Sequence, residues 1–216
     1  MVTERPRALC FGILLCALPA AGWAQDANAV LFAAAHTTGT ENLRTLKYSA
    51  AGSIYDDKGN VGGVKSLDQS IDFRAGSWTT TRKGVTSGEP VTDFIATQTM
   101  TTATWWDEQF EYWITPFGFL KGAESNTVTL ETNMQFGETY RVLTYTLPGD
   151  HRISAYVNAK DLIERVRLTL YGSFEAEGIY RDYADFGGLK MPTLMILRRG
   201  GALSSVLIVK DAKPNA

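Results

Sequence analysis

The sequence predicts a mainly β protein built on an antiparallel sheet, with one helix at its start. Three observations carry this. Beyond Gly39, the residue types that favour strands, Thr, Val, Ile, Tyr, Phe and Trp, are frequent. Turn residues recur about every 8–12 positions, as in barrels and sandwiches. Leu162–Leu170 alternates cleanly, with Val166, Leu168 and Leu170 on one face and Arg165, Arg167 and Thr169 on the other. Such a strand packs one face on a core and shows the other to water.

The elements follow in order. Residues 1–24 read as a secretory signal peptide. Arg5 and Arg7 start it, Ala8–Leu18 is its apolar run, and Gly22-Trp23-Ala24 offers small residues for cleavage before Gln25. The apolar run is too short to span a bilayer, which takes roughly 20 residues. A helix is expected next, capped by Asp26, with Val30, Leu31, Ala34 and Ala35 at helical spacing and Gly39 as its stop. Strands are expected over Leu43–Asp56, Val64–Arg74, Trp78–Lys83, Val91–Thr104, Thr139–Leu147, Arg152–Val157 and Leu162–Leu170. Asp57–Asn60, Pro148–Asp150 and Asn158–Asp161 supply turns. Tyr180–Ala216 reads as a strand, a turn and two more strands, of which Val206–Val209 is apolar on both faces. A strand of that kind is covered on both sides or meets a partner.

Composition excludes several functions. Both cysteines, Cys10 and Cys16, lie in the leader, so the remaining chain has no disulfide, thiolate ligand or thiol nucleophile. Leu15 precedes Cys16 where lipid attachment wants a small residue, which argues for an exported soluble protein and against a lipoprotein. The leader carries Arg5, Arg7 and Glu4; without them the 21 basic and 23 acidic residues fall to 19 and 22. That slight acidity argues against nucleic acid as a partner. Residues 25–216 are long enough to bury roughly 70% of their unfolded surface, and a single domain is expected.

Signatures of catalysis are sparse. His36 and His151 are the only histidines and stand in no metal-binding pattern. His151, just after a turn, reads as a surface residue. There is no nucleophile elbow, phosphate loop or dinucleotide fingerprint. No cofactor and no metal are expected. Asp107, Glu108 and Glu111 form the one carboxylate cluster with a conceivable acid–base role. They flank an apparent turn between aromatic strands, where charges usually face solvent. Around them Trp105, Trp106, Phe110, Tyr112, Trp113, Phe117 and Phe119 fall within 15 residues. As strands, these would send some rings to the core and leave others to be covered by a helix, a loop or a ligand.

Four segments, taken in order, carry a resemblance: Leu46–Ser53 (LKYSAAGS), Trp113–Lys121 (WITPFGFLK), Ile153–Val166, and Tyr180–Ala216 with its DFGG and DAKPN motifs. They resemble the N-terminal β domain of exported bacterial metallo-β-lactamase-fold hydrolases. That region is itself similar to the periplasmic, lipoprotein-sorting LolA group. The resemblance implies an incomplete, strongly curved antiparallel barrel with a helical plug on its concave side. It also implies a concavity that takes acyl chains or other apolar cargo. The hydrolase's own histidines have no counterpart here, so hydrolysis is not implied. Phe117 stands after Pro116 where the resemblance implies a histidine, which makes the site more apolar.

The expectation is therefore a periplasmic, non-enzymatic carrier of an apolar or lipid-like ligand. Trp105, Tyr112, Trp113, Phe117 and Phe119 are its expected ligand-binding residues. Two alternatives remain. One is a protein–protein interaction module that packs on a separately encoded exported hydrolase. The other is an enzyme of unrecognised type.

Overall fold

The computed structural model describes residues 26–56, 58–85, 93–135 and 137–216. The expected leader lies outside them. Helix α1 (Ala27–Thr38) begins where Asp26 accepts a hydrogen bond from the Asn28 N–H at 3.1 Å. It ends at Gly39, whose φ of 75° is the left-handed conformation that suits glycine. A Cβ there would also lie 2.1 Å from the Gly188 carbonyl oxygen, so two glycines let the helix end dock on a distant turn.

The strands are β1 (Thr45–Tyr55), β2 (Val61–Asp72), β3 (Ser77–Val85), β4 (Asp93–Thr101), β5 (Thr129–Gln135), β6 (Glu138–Leu147), β7 (His151–Val157), β8 (Ile163–Leu170), β9 (Phe174–Phe186), β10 (Leu189–Arg199) and β11 (Ala202–Pro214). They form one sheet of order β4-β3-β2-β1-β11-β10-β9-β8-β7-β6-β5. Neighbours are antiparallel throughout. Two meanders, β1–β4 and β5–β11, are thus joined where the first strand pairs with the last. The barrel is not closed: β4 and β5 form opposite edges of the sheet.

Register shifts interrupt five of the ladders. Bulges bend a strand and raise its local twist, and so help curl the sheet. At one of them Gly52 packs so closely on β11 that a Cβ would meet the Val206 carbonyl oxygen at 2.0 Å. Inward residues alternate as expected for β8: Val166, Leu168 and Leu170 are fully buried. Each contributes roughly 1.5–3 kcal/mol of apolar transfer.

Three sequence readings need correction. The aromatic segment is not a pair of strands. It forms α2 (Trp106–Trp113) and α3 (Pro116–Ala123), which cross from edge β4 to edge β5. Trp106, Phe110, Trp113 and Phe117 recur at four- and three-residue steps, and this helical stripe outweighed the β propensity of aromatic residues. His151 is not a surface residue but 2% exposed, because the turn before β7 folds its ring between Trp106 and Tyr171, with centroids 4.8 and 4.9 Å away. Val206–Val209 is not covered on both sides: Leu207 and Val209 enter the core, while Ile208 faces outward at 40% exposure.

Candidate functional site

Helices α2 and α3 plug part of the concave face. Thr115 builds the joint between them. Its hydroxyl donates to the Tyr112 carbonyl at 2.8 Å and accepts the Gly118 N–H at 2.9 Å, closing one helix and capping the next. Pro116 follows as the first helical residue, where its missing N–H costs nothing. A Cβ on Gly118 would lie 2.1 Å from the Tyr112 carbonyl oxygen, so the tight corner requires glycine.

The sheet holds this plug by tyrosine hydroxyls. Tyr180 donates to the Ile114 carbonyl at 2.5 Å and Tyr145 to the Phe119 carbonyl at 3.0 Å. Both satisfy helix carbonyls that water does not reach. Burial holds the Tyr145 and Tyr180 phenols well above their usual pKa, so they stay protonated donors.

Aromatic packing continues the anchoring. Tyr112 stacks on Trp78 at 5.0 Å and meets Phe73 at 5.9 Å and Trp113 at 4.9 Å. Burial, with smaller help from Asp72 and Glu124, pushes its phenol up to about 12. Trp113 donates its indole N–H to Gln109 Oε1 at 2.8 Å and packs on Trp106. Phe119 is fully buried against Tyr145, and Phe117 is 2% exposed. Trp105 precedes α2 and is 76% exposed. Four of the five aromatic residues singled out from sequence are thus gathered in the plug, and Trp105 stands apart.

The plug leaves a cavity of about 230 Å³ between α2 and the strands β1, β2, β10 and β11. Leu67, Met195, Leu197 and Leu207 give its apolar wall. Phe110, Glu111 and Thr115 close it from the helical side, and Arg82, Arg199, Ser204 and Ser205 add polar groups. None of the five sequence-predicted residues lines it. Phe110 and Glu111, from the same segment, do.

Glu111 forms a two-oxygen ion pair with Arg82 Nη2, at 3.1 and 3.2 Å, tying α2 to β3. Arg82 Nε is buried without an acceptor. Tyr48 donates to Gln69 Oε1 at 2.6 Å within the wall. Burial, then the Glu111 charge, raises its phenol pKa, with Arg82 opposing. Arg199 places its guanidinium 5.3 Å from the ring centres of both Phe110 and Phe174. Among the described residues no group of three or more His, Cys, Asp or Glu side chains is arranged to hold a metal.

A wider depression lies on the outer side of β1–β3, lined by Lys47, Ser49, Asp68, Ser70, Thr79 and Thr81 among others. Its hydroxyls partly serve each other, as in Thr79–Thr99 and Thr81–Thr97, both at 3.1 Å. The concave cavity is the better candidate, because it joins an apolar wall to a few converging polar groups.

No protein-family model and no curated protein matches the chain. Solved structures do. A LolA superfamily protein from Nitrosomonas europaea superposes with a TM-score of 0.56 over 88% of this chain and 94% of that one, at 11% identity. A DUF1329 family protein from Desulfovibrio piger superposes with a TM-score of 0.53 over 88% and 93%, at 10% identity. The chain therefore has a LolA-like fold: one large open antiparallel sheet with few helices. At these identities the likeness concerns the fold alone.

Proposed function

We propose that this is an exported carrier or binding protein for a small, largely apolar ligand, held between the concave sheet face and α2. The observation that carries this reading is the incomplete plug. The helices fill one part of the concavity and leave a half-enclosed cavity walled by Leu67, Met195, Leu197 and Leu207. Ordinary core packing removes such space, since interiors reach crystal-like density. The LolA-like fold supports the reading, and so does the leader expected over residues 1–24. Tyr112, Trp113, Phe117 and Phe119 enter it through the plug that closes the concavity beside the cavity, and Trp105 enters it as an exposed ring ahead of α2. Binding of an environment-sensitive naphthalene dye tests it. Dye fluorescence should rise with the folded protein and fall as a lipid competitor is added. Leu197→Phe, which fills the cavity without adding a charge, should weaken the signal while the circular dichroism stays native. Dye bound equally by wild type and Leu197→Phe would contradict it.

A second reading, an interaction module, draws on the outer face. Ile208 is exposed there, and its ladder neighbours Leu194 and Ala51 are only half-buried. The association with an exported hydrolase belongs to this reading. A monomer in sedimentation at high micromolar concentration, with no partner retained from an envelope extract, would count against it. The enzyme alternative is weakened at Glu111, whose carboxylate is committed to Arg82. Full activity of a D107A/E108A/E111A variant in an assay of any reaction found for the protein would remove the cluster from consideration.

A further inference from the structure

The cavity is not simply apolar, and its charges do not balance. Arg82 and Arg199 line it, and Glu111 is the one carboxylate among the described residues of its wall. That leaves a formal charge of one positive unit inside a chain whose own formal charge is −2. Glu111 commits both oxygens to Arg82 Nη2, at 3.1 and 3.2 Å. The Nε of the same guanidinium has no use within the protein: it is buried and lacks an acceptor. A buried donor without a partner costs roughly 1–3 kcal/mol.

Arg199, at the solvent-facing side of the cavity, has no carboxylate partner among the described residues. Phe110 and Phe174 hold its cation from two ring faces, each 5.3 Å away. A ring face attracts the charge but leaves most of the five N–H donors of a guanidinium unused. Among the described residues, no carboxylate lies within ion-pair distance of Arg199. Ser204 and Ser205 of β11 also line this wall. The apolar side chains stand beside this polar group, so head and tail of one ligand can be served together.

The geometry points to an anionic amphiphile as the ligand: one negatively charged head group taken up at Arg82 and Arg199, and one short apolar tail on Leu67, Met195, Leu197 and Leu207. This rests on the carrier reading above. The size agrees with a single short chain. About 230 Å³ is the liquid volume of roughly eight waters at about 30 Å³ each, or on the order of ten non-hydrogen atoms. That is below the roughly 300–1,000 Å³ of pockets for drug-sized ligands. Because Arg199 is open to solvent, salt should weaken the preference for an anion.

The test is calorimetric titration of the whole protein with three probes of equal chain length: octanoate, 1-octanol and octylammonium. Octanoate should bind at least tenfold more tightly than octanol, a difference of about 1.4 kcal/mol, and octylammonium should bind least. Arg199→Gln should bring octanoate down to the octanol level and leave octanol unchanged. Arg199→Lys, which keeps the charge, should retain most of the preference. Equal binding of octanoate and octanol by the wild type, or equal weakening of both by Arg199→Gln, overturns the anion assignment and leaves the carrier reading standing. No binding of any probe by protein with native circular dichroism overturns both.

Discussion

Replacing Tyr180 with phenylalanine removes one oxygen and almost no volume, so it isolates the bond that fastens α2 to the sheet. Tyr180 and Ile114 are both fully buried. The Tyr180 hydroxyl donates to the Ile114 carbonyl at 2.5 Å. The next helix cannot replace it, because the Gly118 N–H is already taken by the Thr115 hydroxyl. The Tyr180→Phe variant would leave that carbonyl dry and without a donor. Orphaning one buried group costs about 1–3 kcal/mol. For a domain of this size each kcal/mol lowers Tm by about 2–4 °C. The melting temperature should therefore fall by about 2–12 °C, read by circular dichroism. Hydrogen exchange should speed up in α2 and the start of α3 before it does in β8–β10. Tyr171→Phe is the control, since Tyr171 is 61% exposed and its loss should be neutral. An unchanged Tm for Tyr180→Phe, with Ile114–Gly118 equally protected, would refute the tyrosine anchor.

Three further outcomes follow from the same geometry. Phe119→Ala empties a fully buried site against Tyr145 and should cost about 3–5 kcal/mol in denaturant unfolding; a loss under about 1 kcal/mol would show that the plug is loosely packed. Gly118→Ala forces a methyl to 2.1 Å from the Tyr112 carbonyl oxygen, so it should shift α3 and weaken dye binding in the adjoining cavity as well as stability; unaltered binding and Tm would show that the corner gives freely. Acid should destabilise the protein in two stages. Burial holds the His151 pKa down, so the unfolded chain takes up its proton first and stability falls as pH drops through about 6.5. Glu164 is held down by hydrogen bonds from Asn158 and Tyr140 and by Arg181, which together outweigh its partial burial. Its contribution is present above about pH 4.3 and is lost below that. A Tm of His151→Gln that tracks wild type in parallel from about pH 7 to 5 would contradict the first stage.

Strands with one wet and one dry face were legible in the sequence, β8 most clearly, because burial imposes the alternation that a reader sees. Strand β5 was not. Its residues, TLETNMQ, are mostly exposed on both faces at the sheet edge, so no pattern marks them. The plug was misread for a physical reason. Aromatic residues favour strands, and the rings of Trp105, Tyr112 and Phe119 beside it masked the helical spacing of Trp106, Phe110, Trp113 and Phe117. His151 shows the limit of local reading, since its burial depends on Trp106 and Tyr171, neither of them a chain neighbour. The cavity was the least legible feature. Gln69, Arg82, Glu111 and Arg199 come from separate elements, and only the pairing of β1 with β11 brings β2 and β10 around one space. The LolA-like fold, by contrast, was within reach from short motifs such as those of Trp113–Lys121 and Tyr180–Ala216.

The most direct test of the central claim is native mass spectrometry of the protein purified from cells without detergent. The account predicts a second, heavier species whose extra mass is one small acidic amphiphile, and the loss of that species in the cavity-filling Leu197→Phe. A single apo mass, unchanged after incubation with a lipid extract of the same cells, would contradict it.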